Sequence, residues 1–293
     1  MPIIRKDDVM PERPVIIVLY GTPGTGKTSL ANTANNPILI DTDRGSDRAA
    51  NRVDTLIASK WLDIDNEKEA IKTYSTVVVD TAKSLLDDFL SDYATSQNYK
   101  LKTNALKRFG AMAEYFKEFV NFLRQNQSDI IFVCHDKETA EGDIIKHSPE
   151  CTGQSKDLLL RIADQVGYIT MVNGQRTIVF DPTDTTVGKN VAQIPPMRIP
   201  DTSSIDFQNC MAGIIDKVKK SLVSKSEAQR AAQVQLEEAT AMLNKAKTVE
   251  EANELISIAN NLPKPMQSAF KKKVAKEMEA KGFTIKDGKF VAV

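Results

Sequence analysis

Apolar residues in the first half of the chain come in short unbroken runs rather than in alternation. Val15–Tyr20, Pro37–Ile40, Thr76–Val79 and Asp129–Cys134 are each dominated by Val, Ile and Leu, and each is bounded by polar or turn-forming residues. Runs of this kind predict strands buried on both faces. The segments between them carry apolar residues at helical spacing instead. Leu85, Leu86, Phe89, Leu90 and Tyr93 predict a helix over 82–96, and Phe109, Met112, Phe116, Phe119, Val120 and Leu123 predict a longer one over 104–125. A short apolar piece at 53–57 and a helix near 67–74 complete this half. Strands alternating with helices predict an α/β fold, with a mostly parallel central sheet covered by helices.

The pattern then changes. Residues 137–156 are polar and hairpin-like around Glu141-Gly142-Asp143. Residues 157–203 read as β-rich, with Val166–Val172 and Gln175–Phe180 joined by a turn at Asn173-Gly174. Four prolines between Asp181 and Pro200 predict an extended surface loop, and a helix follows over 207–222. Beyond it, 226–247 predicts a long exposed helix, Thr248-Val249-Glu250-Glu251 has the form of a capping box for a helix to Asn260, and Leu262-Pro263-Lys264-Pro265 breaks the chain. A lysine-rich helix over 266–281 and a terminal hairpin around Asp287-Gly288 close the sequence. The boundary falls near residue 222. It separates a core over 1–222, with a polar lead-in at 1–13, from a small, mainly helical appendage over 223–293.

The turn after the first strand carries chemistry. Gly21-Thr22-Pro23-Gly24-Thr25-Gly26-Lys27-Thr28 fits G-x-x-x-x-G-K-[ST] between a predicted strand and a predicted helix. Glycines at 21, 24 and 26 let successive backbone N–H groups turn inward, and the helix opening near Lys27 and Ser29 adds its own unpaired N–H groups. Such a concavity binds a nucleoside triphosphate, with Lys27 reaching the β- and γ-phosphates and the Thr28 hydroxyl on Mg²⁺. Gly24, Asp43, Asp80 and His135 all fall at or just beyond strand ends, the edge at which ligands bind in parallel sheets. Asp80 closes an apolar strand, as the second Mg²⁺ ligand of such sites does.

Composition narrows the setting. The 293 residues are 41% hydrophobic and 27% charged, ordinary values for a globular protein. Cys134, Cys151 and Cys210 lack metal-ligand spacing and point to a reduced, cytoplasmic compartment. No apolar run is long enough for a membrane span and the N-terminus has no signal-peptide core, so no membrane partner is expected. With 39 basic and 39 acidic residues the net charge is zero. Residues 216–293, however, hold 15 Lys/Arg against 10 Asp/Glu, so nucleic-acid binding requires a local basic groove.

In their order, these motifs resemble the RecA-type ATPase core, and the match extends over about residues 12–215. Ile40-Asp41-Thr42-Asp43 resembles the acidic pair whose later member orients the attacking water, which makes Asp43 the implied base, although the family normally has glutamate there. Val77-Val78-Val79-Asp80-Thr81 resembles the Mg²⁺ strand. Ile131–His135 resembles the strand whose last residue senses the γ-phosphate, with His135 where glutamine is frequent. Val187-Gly188-Lys189-Asn190-Val191 resembles the segment that supplies cations to a neighbouring subunit's nucleotide; Lys189 matches and Val191 replaces the second basic residue.

The set also resembles the phage-encoded RecA-like ATPases associated with single-strand annealing and recombination. That resemblance implies a homo-oligomer with ATP at the subunit interface, single-stranded DNA as partner, and the cytoplasm of a bacterial host as location. Lys100, Lys102, Lys107, Arg108, Lys137 and Lys146 would line the DNA path, with Tyr99 stacking on a base. An alternative is an ATP-dependent assembly or loader module with slow hydrolysis, holding a recombination or replication protein through its C-terminal tail.

Overall fold

The computed structural model describes residues 11–286 and 289–292. The polar lead-in and the Asp287-Gly288 turn therefore lie largely or wholly outside the described residues. Glu12–Leu222 forms one compact unit, and Val223–Val293 belongs to a second.

The first unit opens with β1 (Ile16–Gly21), α1 (Lys27–Ala31), β2 (Pro37–Asp41) and β3 (Asp54–Ile57). After α2 (Trp61–Asp65) and α3 (Lys68–Ile71) come β4 (Thr76–Asp80), α4 (Ser91–Gln97), α5 (Ala105–Gln125) and β5 (Asp129–Glu141). The chain continues through β6 (Ile144–Pro149), α6 (Gly153–Ile162), β7 (Gln165–Val172), β8 (Gln175–Val179), β9 (Lys189–Asn190) and β10 (Met197–Arg198) to α7 (Cys210–Lys245). The sheet runs β10-β8-β7-β1-β5-β4-β2-β3, and its six strands from β7 to β3 are parallel. β8, β9 and β10 pair antiparallel at one side.

The apolar runs are unbroken because the sheet is covered on both faces. Ile16, Val18 and Tyr20 of β1 pack into one layer with Phe116, Phe119 and Phe132. Ile17 and Leu19 point the other way, into a layer with Leu30, Phe180, Met211, Ile214 and Val218. The Phe116 ring lies 5.5 Å from that of Phe132, and Trp61 meets Phe119 edge-on at 5.4 Å. Such pairs add to the area they bury.

The helix predicted over 82–96 forms, with π-helical geometry over Ser84–Leu90 before it runs into α4. Three expectations are corrected. The 157–203 region is not β throughout, because α6 occupies its start. That helix is pinned by Asp87, whose carboxylate accepts from the Thr152 N–H and hydroxyl at 2.8 and 2.9 Å and from the Ser155 hydroxyl at 2.6 Å. The 181–200 segment is not purely a surface loop, since it supplies β9 and β10 and buries Ile194 and Ile199. Finally, α7 is continuous where two helices were predicted, because neither proline nor glycine falls between Leu222 and Ser226.

In the second unit the last turns of α7 bring Ala239 and Leu243, and the link beyond it Ala246, into a core with α8 (Val249–Asn261) and α9 (Lys264–Ala280). The capping box forms. The Thr248 hydroxyl accepts from the Glu251 N–H at 3.2 Å, and the Glu251 carboxylate accepts from the Thr248 N–H at 3.0 Å. β11 (Phe283–Lys286) and β12 (Lys289–Ala292) pair antiparallel.

Phe116 is fully buried between α5 and the sheet. Phe116→Ala should destabilise the first unit by about 3–5 kcal/mol, read from the urea midpoint of its unfolding transition.

Candidate nucleotide-binding site

The site is built where β1 and β4 end on either side of β5. β5 lies between the other two, with Gly21 level with His135 and Asp80 level with Val133. A loop leaving β1 and a carboxylate leaving β4 therefore face each other across the end of β5. They bound a cavity of about 390 Å³, to which Asp43, His135 and Arg176 also contribute.

Two loop glycines have identifiable reasons. At Gly21 a Cβ would stand 2.3 Å from the Ile169 carbonyl oxygen of the adjacent β7. Gly26 has φ near +79°, a left-handed conformation unfavourable for other residues, and a Cβ there would meet the Arg176 guanidinium at 2.7 Å. With these turns made, Lys27 folds back over the loop. Its Nζ donates to the carbonyls of Gly21 and Thr22 at 2.8 and 2.9 Å. Burial holds the ammonium's pKa below its ordinary value, while neighbouring Asp80 works the other way. A triphosphate would take over this ammonium from the two carbonyls.

Thr28 and Asp80 are brought into contact. The Thr28 hydroxyl donates to Asp80 Oδ2 at 2.5 Å. Burial raises the Asp80 carboxyl above its ordinary value, and this hydrogen bond opposes the rise. A hydroxyl and a carboxylate converging beside a phosphate loop are hard oxygen donors of the kind Mg²⁺ takes, so the residues present fit that ion.

The acidic pair divides its work. Asp41 is buried and its carboxylate accepts from the backbone N–H groups of Asp43, Gly45 and Ser46 at 2.9–3.2 Å. Burial pushes its pKa up, but these hydrogen bonds prevail and hold it below the ordinary carboxylate value. Asp41 thereby fixes the turn that presents Asp43, whose Oδ2 lies 3.8 Å from His135 Nε2. His135 Nδ1 is buried without a hydrogen-bond partner.

Lys189 is not brought to this cavity. It sits on β9, opposite Val166 near the start of β7, and its Nζ donates to the carbonyls of Ala163 at 2.5 Å and Leu160 at 3.4 Å. It caps the carbonyl end of α6, which satisfies groups that helices leave unpaired. Sequence reasoning missed Arg176. This half-buried residue stands on β8, held by the Pro200 carbonyl at 3.1 Å and lying 5.8 Å from the Phe207 ring centre. Its only sequence signal was its place just beyond the Asn173-Gly174 hairpin turn, which returns the chain alongside the phosphate loop.

Among the residues expected to line a DNA path, Tyr99 is 75% exposed with Lys102 Nζ 5.5 Å from its ring centre. Arg108 donates to the Lys102 carbonyl at 3.0 Å, and Lys146 pairs with Glu141 at 2.6 Å.

A phosphate loop leaving a central parallel strand, backed by a Thr–Asp pair and an acidic turn, defines the P-loop nucleoside triphosphatases. More particularly, the chain belongs to the AAA domain family, whose model matches residues 13–191. That family makes it a P-loop ATPase in the broad sense. No curated protein matches the chain. Among the described residues no helix is long and apolar enough to cross a membrane.

Asp80→Asn should lower ATP hydrolysis at least about 100-fold. The same change should stabilise the chelator-treated protein. A raised folded pKa means that wild type loses stability as pH climbs from the ordinary value of 3.8 through the higher folded one. The melting-temperature gap between variant and wild type should widen over that interval and then level off. Arg176→Ala should weaken ATP binding about tenfold, as loss of one charge-assisted contact does; a fluorescent ATP analogue reports it.

Proposed function

We propose that this chain is a Mg²⁺-dependent, RecA-like ATPase that oligomerises with ATP at the subunit interface. In this reading it acts with single-stranded DNA in phage recombination or annealing, in the cytoplasm of a bacterial host. The observation that carries the catalytic part is the convergence of Lys27, the Thr28–Asp80 pair, Asp43 and His135 on one cavity. Lys27 and the loop N–H groups bind and orient the triphosphate, and Asp43 holds the attacking water in line with the γ-phosphate. Thr28 and Asp80 are the residues that would hold Mg²⁺, which when bound neutralises charge on the β- and γ-oxygens. His135 reads the terminal phosphate from β5, the strand that continues outward into the β5–β6 hairpin.

The DNA part is supported by exposed Tyr99 among Lys100, Lys102, Lys107 and Arg108, an aromatic platform within a basic stretch. The tail over 223–293 would hold a recombination or replication protein.

One observation favours the slower loader reading. Lys189 is engaged on the carbonyls of its own α6, so it is not free to act on a neighbour's nucleotide. Asp43, a methylene shorter than the glutamate of RecA-like enzymes, points the same way.

Steady-state hydrolysis with and without single-stranded DNA separates the two. A recombination ATPase should be stimulated by DNA, and the stimulation should collapse between about 50 and 200 mM salt as phosphate contacts are lost. Tight ATP binding with equally slow turnover in both conditions would establish the loader instead.

A further inference from the structure

β5 does not end at the sheet. Beyond His135 it continues as one arm of a two-stranded ribbon with β6. At the root of that ribbon Asp136 and Glu138, two residues apart, share one face. His147 stands directly opposite Glu138 on β6 and diagonal to Asp136. Ligand atoms from these three side chains all lie within 4.8 Å of one another.

Among the described residues His147 is the one ion-pair partner of this cluster's two carboxylates. The Asp136 side chain is 2% exposed, with Oδ2 2.6 Å from His147 Nδ1. The second Asp136 oxygen, on the same carboxylate facing the imidazole, is buried with no hydrogen-bond partner. Among the described residues no lysine or arginine forms an ion pair with Asp136 or Glu138. Tyr20 does not relieve the orphaned oxygen, because its hydroxyl donates to the Val187 carbonyl at 2.6 Å. One imidazole can neutralise at most one of two carboxylates, and a buried carboxylate oxygen without a donor is costly.

We infer that Asp136, Glu138 and His147 form a site for a divalent transition-metal ion of the Zn²⁺ or Mn²⁺ class, separate from the ATPase centre. One imidazole with two carboxylates suits these ions, whereas Mg²⁺ and Ca²⁺ favour oxygen-only shells. Metal–ligand bonds of about 2.0–2.2 Å require ligand atoms somewhat over 3 Å apart, within reach of small rotations from the observed arrangement. The ion takes the place of the 2.6 Å contact between Asp136 Oδ2 and His147 Nδ1. Tyr168, whose ring centre lies 5.2 Å from that of His147, packs against the imidazole and limits its rotation. A metal here fastens β5 to β6 one residue beyond His135.

The test uses the full chain, stripped with chelator and held in excess Mg²⁺ without nucleotide, titrated with Zn²⁺ by calorimetry and with Co²⁺ by absorption. The expected result is one equivalent per chain, bound at least about tenfold more weakly by Glu138→Gln and by His147→Gln, with no thiolate charge-transfer band from Co²⁺. Three results overturn the assignment: no saturable binding by wild type, unchanged affinity in Glu138→Gln, or a thiolate band placing the ion on Cys134 and Cys151. Glu138 is exposed, so its variant decides the matter even if His147→Gln fails to fold. Because the readout is metal bound rather than ATP turned over, it is independent of the proposed ATPase mechanism.

Discussion

Everything at the carboxyl edge of the sheet depends on the order β1-β5-β4. Two strands that both carry phosphate chemistry are separated by a third, so the loop after Gly21 and the carboxylate of Asp80 stand one strand-width to either side of His135. The hydrogen bond from Thr28 to Asp80 spans that gap and ties α1 to β4. Parallel registry fixes the separation more firmly than any loop could, because slipping β4 by one residue would turn Val77 and Val79 out of one core layer and into the other. The hydrophobic packing of both faces therefore sets the distance between Lys27 and Asp80.

That packing also sets their electrostatics. Burial lowers the pKa of Lys27 and raises that of Asp80, so the folded chain holds each charge at a cost that the attraction between them opposes. Opposed shifts of this kind mark a site arranged for a charged ligand rather than for stability. Asp41 shows the contrast. Only two residues from Asp43, it has its carboxylate satisfied by three backbone N–H groups and its pKa held low, so its charge serves the turn and not the cavity. Asp43 makes no such backbone commitment and faces His135 instead.

The parallel strands and the phosphate loop were legible because both are local signals. An apolar run of β-branched residues and a spaced Gly-Lys-Thr motif need no knowledge of distant contacts. Lys27, Thr28, Asp43, Asp80 and His135 meet because the order β1-β5-β4-β2 places their strands side by side and parallel. What escaped depends on tertiary partners. The run Leu158-Leu159-Leu160 reads equally as strand or helix, and it is Asp87, far off in sequence, that caps the segment as α6. Arg176 reaches Gly26 only through the β7–β8 hairpin, and Lys189 finds α6 carbonyls that the sequence did not announce. Asp136 and Glu138 read as ordinary polar residues until β6 sets His147 beside them.

The positions of Arg176 and Lys189 bear together on where the site's positive charge comes from. An ATPase that draws a cation from its neighbour is inactive alone, and nucleotide state then couples directly to assembly. Here the segment expected to provide that cation is folded against its own α6, while a guanidinium from the same chain touches the phosphate loop at Gly26. Arg176 is itself held by the Pro200 carbonyl and the Phe207 ring, so its approach to the loop belongs to the first unit's own fold. Positive charge for the phosphates is then available within one chain.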